Sequence, residues 1–175
     1  DVYFAEDKGT ASVSYFDSDY DNLIIFDFGV FPGTTANVEK ARTYGVETSG
    51  TWALGSGMEL RGSYTYLEAY NETSGTRLLR RPRHSGSLDV WREFGGGFDL
   101  GVGLGFVADR LDVDAQTFAT IDADDYLVVR IYGSWQINED FRLRARVENA
   151  LNAEYEQVHG FPQPGIGAYA GIEWR

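Results

Sequence analysis

The chain has no cysteine, one methionine, two histidines and four prolines in 175 residues. Without a thiol there is no disulfide, no thiol nucleophile and no thiolate metal site. No stretch approaches the ~18 unbroken apolar residues that a membrane-crossing helix needs, and the mean hydropathy of -0.32 agrees, so a helical span is excluded. Positive charge is scarce: 15 Lys and Arg face 27 Asp and Glu, for a net charge of -12, and no basic stripe is present to hold nucleic acid. The first residues lack a positive, apolar, small-residue leader, so the chain is expected to be a piece of something longer. What it has instead is glycine, 21 residues, and aromatic side chains, 15% of the total.

These residues alternate. In FGGGFDLGVGLGFVADR, residues 94–110, Phe98, Leu100, Val102, Leu104 and Phe106 fall on one parity, with Asp99, Gly101, Gly103 and Gly105 between them. A period of two is the signature of a β-strand, with one face of hydrocarbon and one bare. Glycine inside a strand costs stability and marks close approach of another body, and a soluble sandwich does not put it on its outer face. Period-two runs recur at about 9–18, 22–28, 38–54, 58–70, 84–94, 97–109, 125–137, 141–149 and 166–175, or about nine strands. Short polar or glycine turns fall at DSDYDN, LGSG, FGGG and INED, and the connections 28–37, 70–83, 110–124 and 150–165 are long. Strands of about ten residues with short turns at one end and long loops at the other describe an outer-membrane barrel.

Arginines set the faces. In FRLRARVENA, Phe141, Leu143, Ala145 and Val147 share one face and Arg142, Arg144, Arg146 and Glu148 the other. Each Arg on the lipid side costs roughly 2–4 kcal/mol at the midplane, so three would cost on the order of 6–10 kcal/mol and must point into the lumen. The same parity turns Leu127, Val129, Ile131 and Trp135 outward, and Leu60, Gly62, Tyr64 and Tyr66 likewise. Trp52, Phe94, Phe98, Trp135 and Phe141 lie near short turns with outward parity, as an interfacial aromatic girdle requires. The glycine face therefore looks inward, at a lumen or at something filling it. Small barrels fill themselves with their own side chains, whereas these inward faces carry glycine and mixed charge, which suits a wide lumen holding another domain.

The last third, RVENALNAEYEQVHGFPQPGIGAYAGIEWR, resembles the C-terminal end of a TonB-dependent outer-membrane receptor, and NVEKARTYGVETSGTW (residues 37–52) resembles an upstream strand of that family. Within the family, NVEKARTYGVE, RLLRRPRHS (residues 77–85) and YEQVHGFPQPG (residues 155–165) together are most similar to the vitamin B12 (cobalamin) transporters; ferric-siderophore receptors share most of these patterns. The fold implied is all-β: residues 1–175 would be the last nine or so strands of a transmembrane antiparallel barrel of about twenty-two strands, without the N-terminal plug domain, the TonB box or the earlier strands. The function implied is energy-driven import of cobalamin, or another metal chelate, into the periplasm of a Gram-negative cell, with the TonB complex pulling on the plug and outer-membrane lipid around the barrel. By the same resemblance Arg80 and Phe161 are the ligand contacts, Phe161 standing where the family has a Tyr. Trp174 would share its outward parity with a terminal aromatic that family members carry one position past Arg175.

Other residues carry weaker expectations. Asp112, Asp114, Asp122, Asp124 and Asp125 crowd one long loop and could hold a hard cation, but a solvated acidic loop is the simpler account. His84 and His159 lack partners at metal-ligand spacing. Asn71-Glu72-Thr73 fits a glycosylation sequon by chance. Ser85 sits beside His84, but neighbours on a strand face opposite ways, so no Ser–His pair forms and no enzyme is expected. No cofactor is expected.

Overall fold

The computed structural model describes residues 2–4, 8–27 and 34–174, in which there are strands and turns but no helix. The strands are β1 (Val2–Phe4), β2 (Gly9–Asp27), β3 (Thr34–Gly55), β4 (Met58–Asn71), β5 (Thr76–Arg77), β6 (His84–Glu93), β7 (Phe98–Ala108), β8 (Arg110–Val113), β9 (Thr120–Ala123), β10 (Tyr126–Gln136), β11 (Phe141–Glu148), β12 (Glu156–Val158), β13 (Phe161–Pro162) and β14 (Gly167–Trp174). One sheet runs in the order β1-β2-β3-β4-β6-β7-β10-β11-β14, with β5 appended to β4; β8-β9 and β12-β13 are two-strand hairpins in the long connections. Every pairing is antiparallel, and the strands of the main sheet follow one another in chain order once the short strands of the long connections are set aside, an up-and-down meander.

The register aligns the outward rows. Val90, Val102, Ile131, Val147 and Ala168 follow one another across five strands, as do Leu88, Leu104 and Val129 across three. Leu100, Val102, Leu127 and Ile131 are each about two-fifths exposed, and the buried apolar residues of the described chain are only Ala41, Ala69 and Val113. A sheet whose large apolar side chains have no second layer to pack on is stable only where hydrocarbon supplies that layer. Trp52, Phe94, Phe98, Trp135, Phe141 and Trp174 are exposed at the short-turn end, as the girdle requires. Arg92 also has outward parity there, opposite Leu100, and its guanidinium lies 4.8 Å over the Phe94 ring. Near the interface such a charge costs only about 0–1 kcal/mol.

The glycine face is covered from within. Tyr132 and Arg130 pair directly with Gly101 and Gly103, and their side chains lie across those glycines. A Cβ at Gly101 would enter the Tyr132 ring, and one at Gly103 would stand 2.6 Å from Asp89 Oδ2. Asp89 ties the group together, accepting from Tyr132 Oη at 2.5 Å and from Arg130 Nη2 at 3.2 Å. Farther along the lumen wall Arg144 pairs with Glu173 at 2.5 Å, and Arg142 Nε donates to Gln136 Oε1 at 2.8 Å.

One expectation is corrected. DSDYDN is no turn: residues 9–27 form a single strand that pairs with β3 from Gly9↔Trp52 to Asp27↔Thr34. Asp17 and Asp19 both face Arg42, with Arg42 Nη2 2.5 Å from Asp17 Oδ2, so cross-strand ion pairs hold the polar stretch in the ladder. The turn tendency survives as one left-handed residue, Asn22, with φ 60°. The nine strands of the main sheet thus include β1, and β2 and β3 are 19 and 22 residues long where about 9–11 suffice to cross a bilayer. The connection expected over 28–37 falls partly on residues 28–33, outside the described ones.

Candidate ligand site at the loop end

The long connections converge at one end of the sheet. Residues 78–83 run between β4 and β8 like an extra strand: Leu78 N donates to Ala69 O and Leu67 N to Arg83 O, both at 2.9 Å, while Arg80 N donates to Leu111 O at 2.8 Å and Arg83 N to Asp109 O at 3.0 Å. Three of the four arginines of RLLRRPR, Arg77, Arg80 and Arg83, recur every third residue, and each of the three finds a carboxylate. Arg77 Nη1 reaches Asp109 Oδ1 at 2.7 Å; Arg83 Nη1 reaches Asp109 Oδ2 at 2.6 Å, and its Nε lies 2.8 Å from Glu68 Oε1. Arg80 Nε donates to Asp112 Oδ1 at 2.8 Å. Arg81, exposed, makes no ion pair with a described residue.

Asp112 is the centre of this clasp. It is completely buried, yet it accepts from Arg80, from Val113 N at 2.8 Å and, through Oδ2, from His159 N at 2.8 Å. Burial works to raise its pKa, but the bonds from His159, Arg80 and Val113 outweigh it and hold the carboxyl below the ordinary range. Asp109 is lowered as well, chiefly by Arg77. Buried Arg110 supplies a second hook, its Nη2 donating to Glu156 O at 2.8 Å and its Nη1 to Gln157 O, with Tyr126 against it and the Tyr155 ring tilted 39° against Tyr126 at 4.7 Å. The 77–83 segment, the β8–β9 hairpin and the β12–β13 hairpin are therefore one unit.

The two residues expected to touch ligand lie on different arms of the clasp. Arg80, at φ 57°, is turned onto Asp112 with its side chain 40% exposed. Phe161, 66% exposed on β13, follows His159 by two residues. Asp112 thus couples their loops. The acidic loop is not simply solvated: Asp112 is interior, Asp114 caps its own turn through Gln116 N and Thr117 N, and Asp125 accepts from Asp109 N. His159 stands between Asp114 Oδ2 (3.6 Å) and Glu156 Oε2 (3.4 Å), and His84 Nδ1 is 2.7 Å from Tyr64 Oη. Among the described residues no three such side chains are arranged to hold a metal ion. Asn71 caps a turn, accepting from Thr73 N and Ser74 N. In the sequence Asp112 is only one of five aspartates in a long loop and Arg110 is unmarked; the local signal is the three-residue spacing of Arg77, Arg80 and Arg83, of which Arg77 and Arg83 meet Asp109 and Arg80 meets Asp112.

A single-layer antiparallel sheet with an apolar outer face, an aromatic girdle and a charged lumen wall is the wall of an outer-membrane barrel. Residues 2–150 match the family model described as TonB dependent receptor-like, beta-barrel, and the chain belongs to that family. It is part of a barrel in the outer membrane of a Gram-negative bacterium. It is 26% identical over 170 residues to the vitamin B12 transporter BtuB of Vibrio cholerae serotype O1, covering 94% of this chain and 26% of that protein. Among solved structures it is similar to the copper transporter OprC (TM-score 0.82, 18% identity, 98% of this chain and 29% of that one) and to the ferric enterobactin receptor PfeA of Pseudomonas aeruginosa (TM-score 0.77, 18% identity, 98% and 30%). The chain spans about a quarter of the length of the curated relatives it matches.

Proposed function

We propose that the complete protein is a transport receptor that binds cobalamin at the cell surface and passes it to the periplasm, driven by a TonB complex acting on an N-terminal plug. The observation that carries the ligand is the likeness of nearly the whole chain to a vitamin B12 transporter. In this reading Phe161 offers a flat apolar contact, and Arg80, oriented by its bond to Asp112, brings a positive charge to polar groups of the ligand. No catalytic residue is part of it. A ferric siderophore is the alternative ligand, favoured by the close fold likeness to a ferric enterobactin receptor.

Purified full-length receptor with both Arg80 and Phe161 changed to Ala is expected to bind cyanocobalamin at least tenfold more weakly while its barrel still folds. Loss of a charge-assisted hydrogen bond alone costs about 1.5–3 kcal/mol, and each 1.4 kcal/mol is tenfold. Equal binding by the double variant removes the two residues from the site. Binding of ferric enterobactin with no binding of cyanocobalamin replaces the ligand.

A further inference from the structure

Beneath the β12–β13 hairpin the lumen wall and the loop border an open depression of about 450 Å³. Its floor is one row of the sheet: Thr65, Ser85, Val107 and Tyr126 stand directly opposite one another across β4, β6, β7 and β10, all with lumen-facing parity. Its roof is Tyr155 and Gln157, brought over the wall by the Arg110 hook and by the tilted Tyr126–Tyr155 ring contact. Two properties set it apart. It contains no charged side chain, although the wall deeper in the lumen carries Arg61, Asp89 and Arg130, and the clasp beside it carries three arginines and two aspartates. And the side-chain polar groups of Thr65, Ser85, Tyr126, Tyr155 and Gln157 make no hydrogen bond to another described residue. Elsewhere many polar side chains of the described residues are tied to one another, as Ser63 is to Ser87 and Tyr132 to Asp89; here five border one depression without pairing.

We infer that this depression is a ligand subsite, one that hydrogen-bonds uncharged carboxamide or hydroxyl groups on the rim of a bulky ligand and lays the Tyr155 ring against an apolar part of it. The inference rests on the transport reading above and narrows it. A carboxylate or a charged iron-chelate group entering here would lose its water and meet no charged side chain in the lining, the nearby Arg110 guanidinium being turned onto the backbone of Glu156 and Gln157, whereas an amide finds an acceptor and a donor in Gln157 and hydroxyls in Thr65 and Ser85. A site built from unspent polar groups also discriminates against ligands that leave them unpaired. Arg110, buried and, among the described residues, bonded to the loop backbone with the Tyr126 ring against it, is a positioning residue for this roof.

The test uses full-length receptor in detergent, with cyanocobalamin as the probe and thermal unfolding as the control for folding. Thr65→Val, Ser85→Ala and Gln157→Leu are each expected to weaken binding about two- to tenfold with an unchanged melting temperature, as loss of a single neutral hydrogen bond would do. Unchanged binding in all three variants overturns the subsite and leaves the transport reading standing. A lowered melting temperature with unchanged binding also overturns it, because the depression then packs against another part of the receptor. If the unaltered receptor does not bind cyanocobalamin, the function proposed above fails and the carboxamide assignment fails with it.

Discussion

Asp112 is an ionised carboxylate with no exposed surface, and its place in the fold follows from its three donors. Removing it leaves Arg80 and two backbone N–H groups without their acceptor. Each such group costs about 1–3 kcal/mol when it stays buried; Arg80 is partly solvated, so its share is smaller. Asp112→Ala is therefore expected to detach the β12–β13 hairpin, read as fast amide hydrogen exchange at His159 and Val113 with normal protection in β7 and β10. Because the folded pKa values of Asp112 and Asp109 are depressed, the clasp's contribution is present above the unfolded value and is lost as pH falls through the folded one. Protection of those amides should then hold at neutral pH and fail only below about pH 4. None of this is legible in the sequence, where Asp112, Asp114, Asp122, Asp124 and Asp125 look alike. Which of them is interior depends on where residues 80 and 159 fold back, 32 and 47 positions away.

At the scale of the strand, periodicity is a strong signal because the pleat has only two sides. The outward rows of β4, β7, β10 and β11 were readable for that reason, and so was the lumen side of Arg142, Arg144 and Arg146. Strand ends are weaker signals. DSDYDN has the composition of a turn, but pairing to Arg42 and Lys40 across the ladder outweighs local preference, which is modest for β structure. Two substitutions one strand position apart should separate the faces of β7. Val102→Arg, on the lipid side, should destabilise the folded full-length receptor by about 2–4 kcal/mol if it lies near the midplane. Gly101→Ala should act differently, pushing Tyr132 off Asp89, while Gly105→Ala, whose Cβ would meet only Gly86 O at 3.9 Å, should be nearly neutral. Chemical denaturation in a lipid bilayer measures all three.

As a molecule these 175 residues make a sheet and not a closed barrel. Among the described residues β14 pairs only with β11, leaving its other edge without a partner there, and most of β2 faces β3 alone. In hydrocarbon each unsatisfied backbone group costs several kcal/mol, and an open edge invites pairing with other chains. The isolated fragment should aggregate, or fold only together with the rest of its barrel; a monodisperse, detergent-free monomer with cooperative unfolding would contradict the single-layer architecture.

By itself the sequence determined the strand periodicity, the lipid and lumen faces, the girdle and the family, because each is set by neighbours along one strand and by the solvent that face must meet. The tertiary structure decided the rest: that residues 9–27 form one strand, that Tyr132 and Arg130 cover the glycines, that Asp112 and Arg110 bind three loops into one unit, and that Thr65, Ser85 and Gln157 share a neutral depression. Those contacts join residues tens of positions apart, and a local pattern carries no record of which distant backbone or carboxylate will arrive beside it.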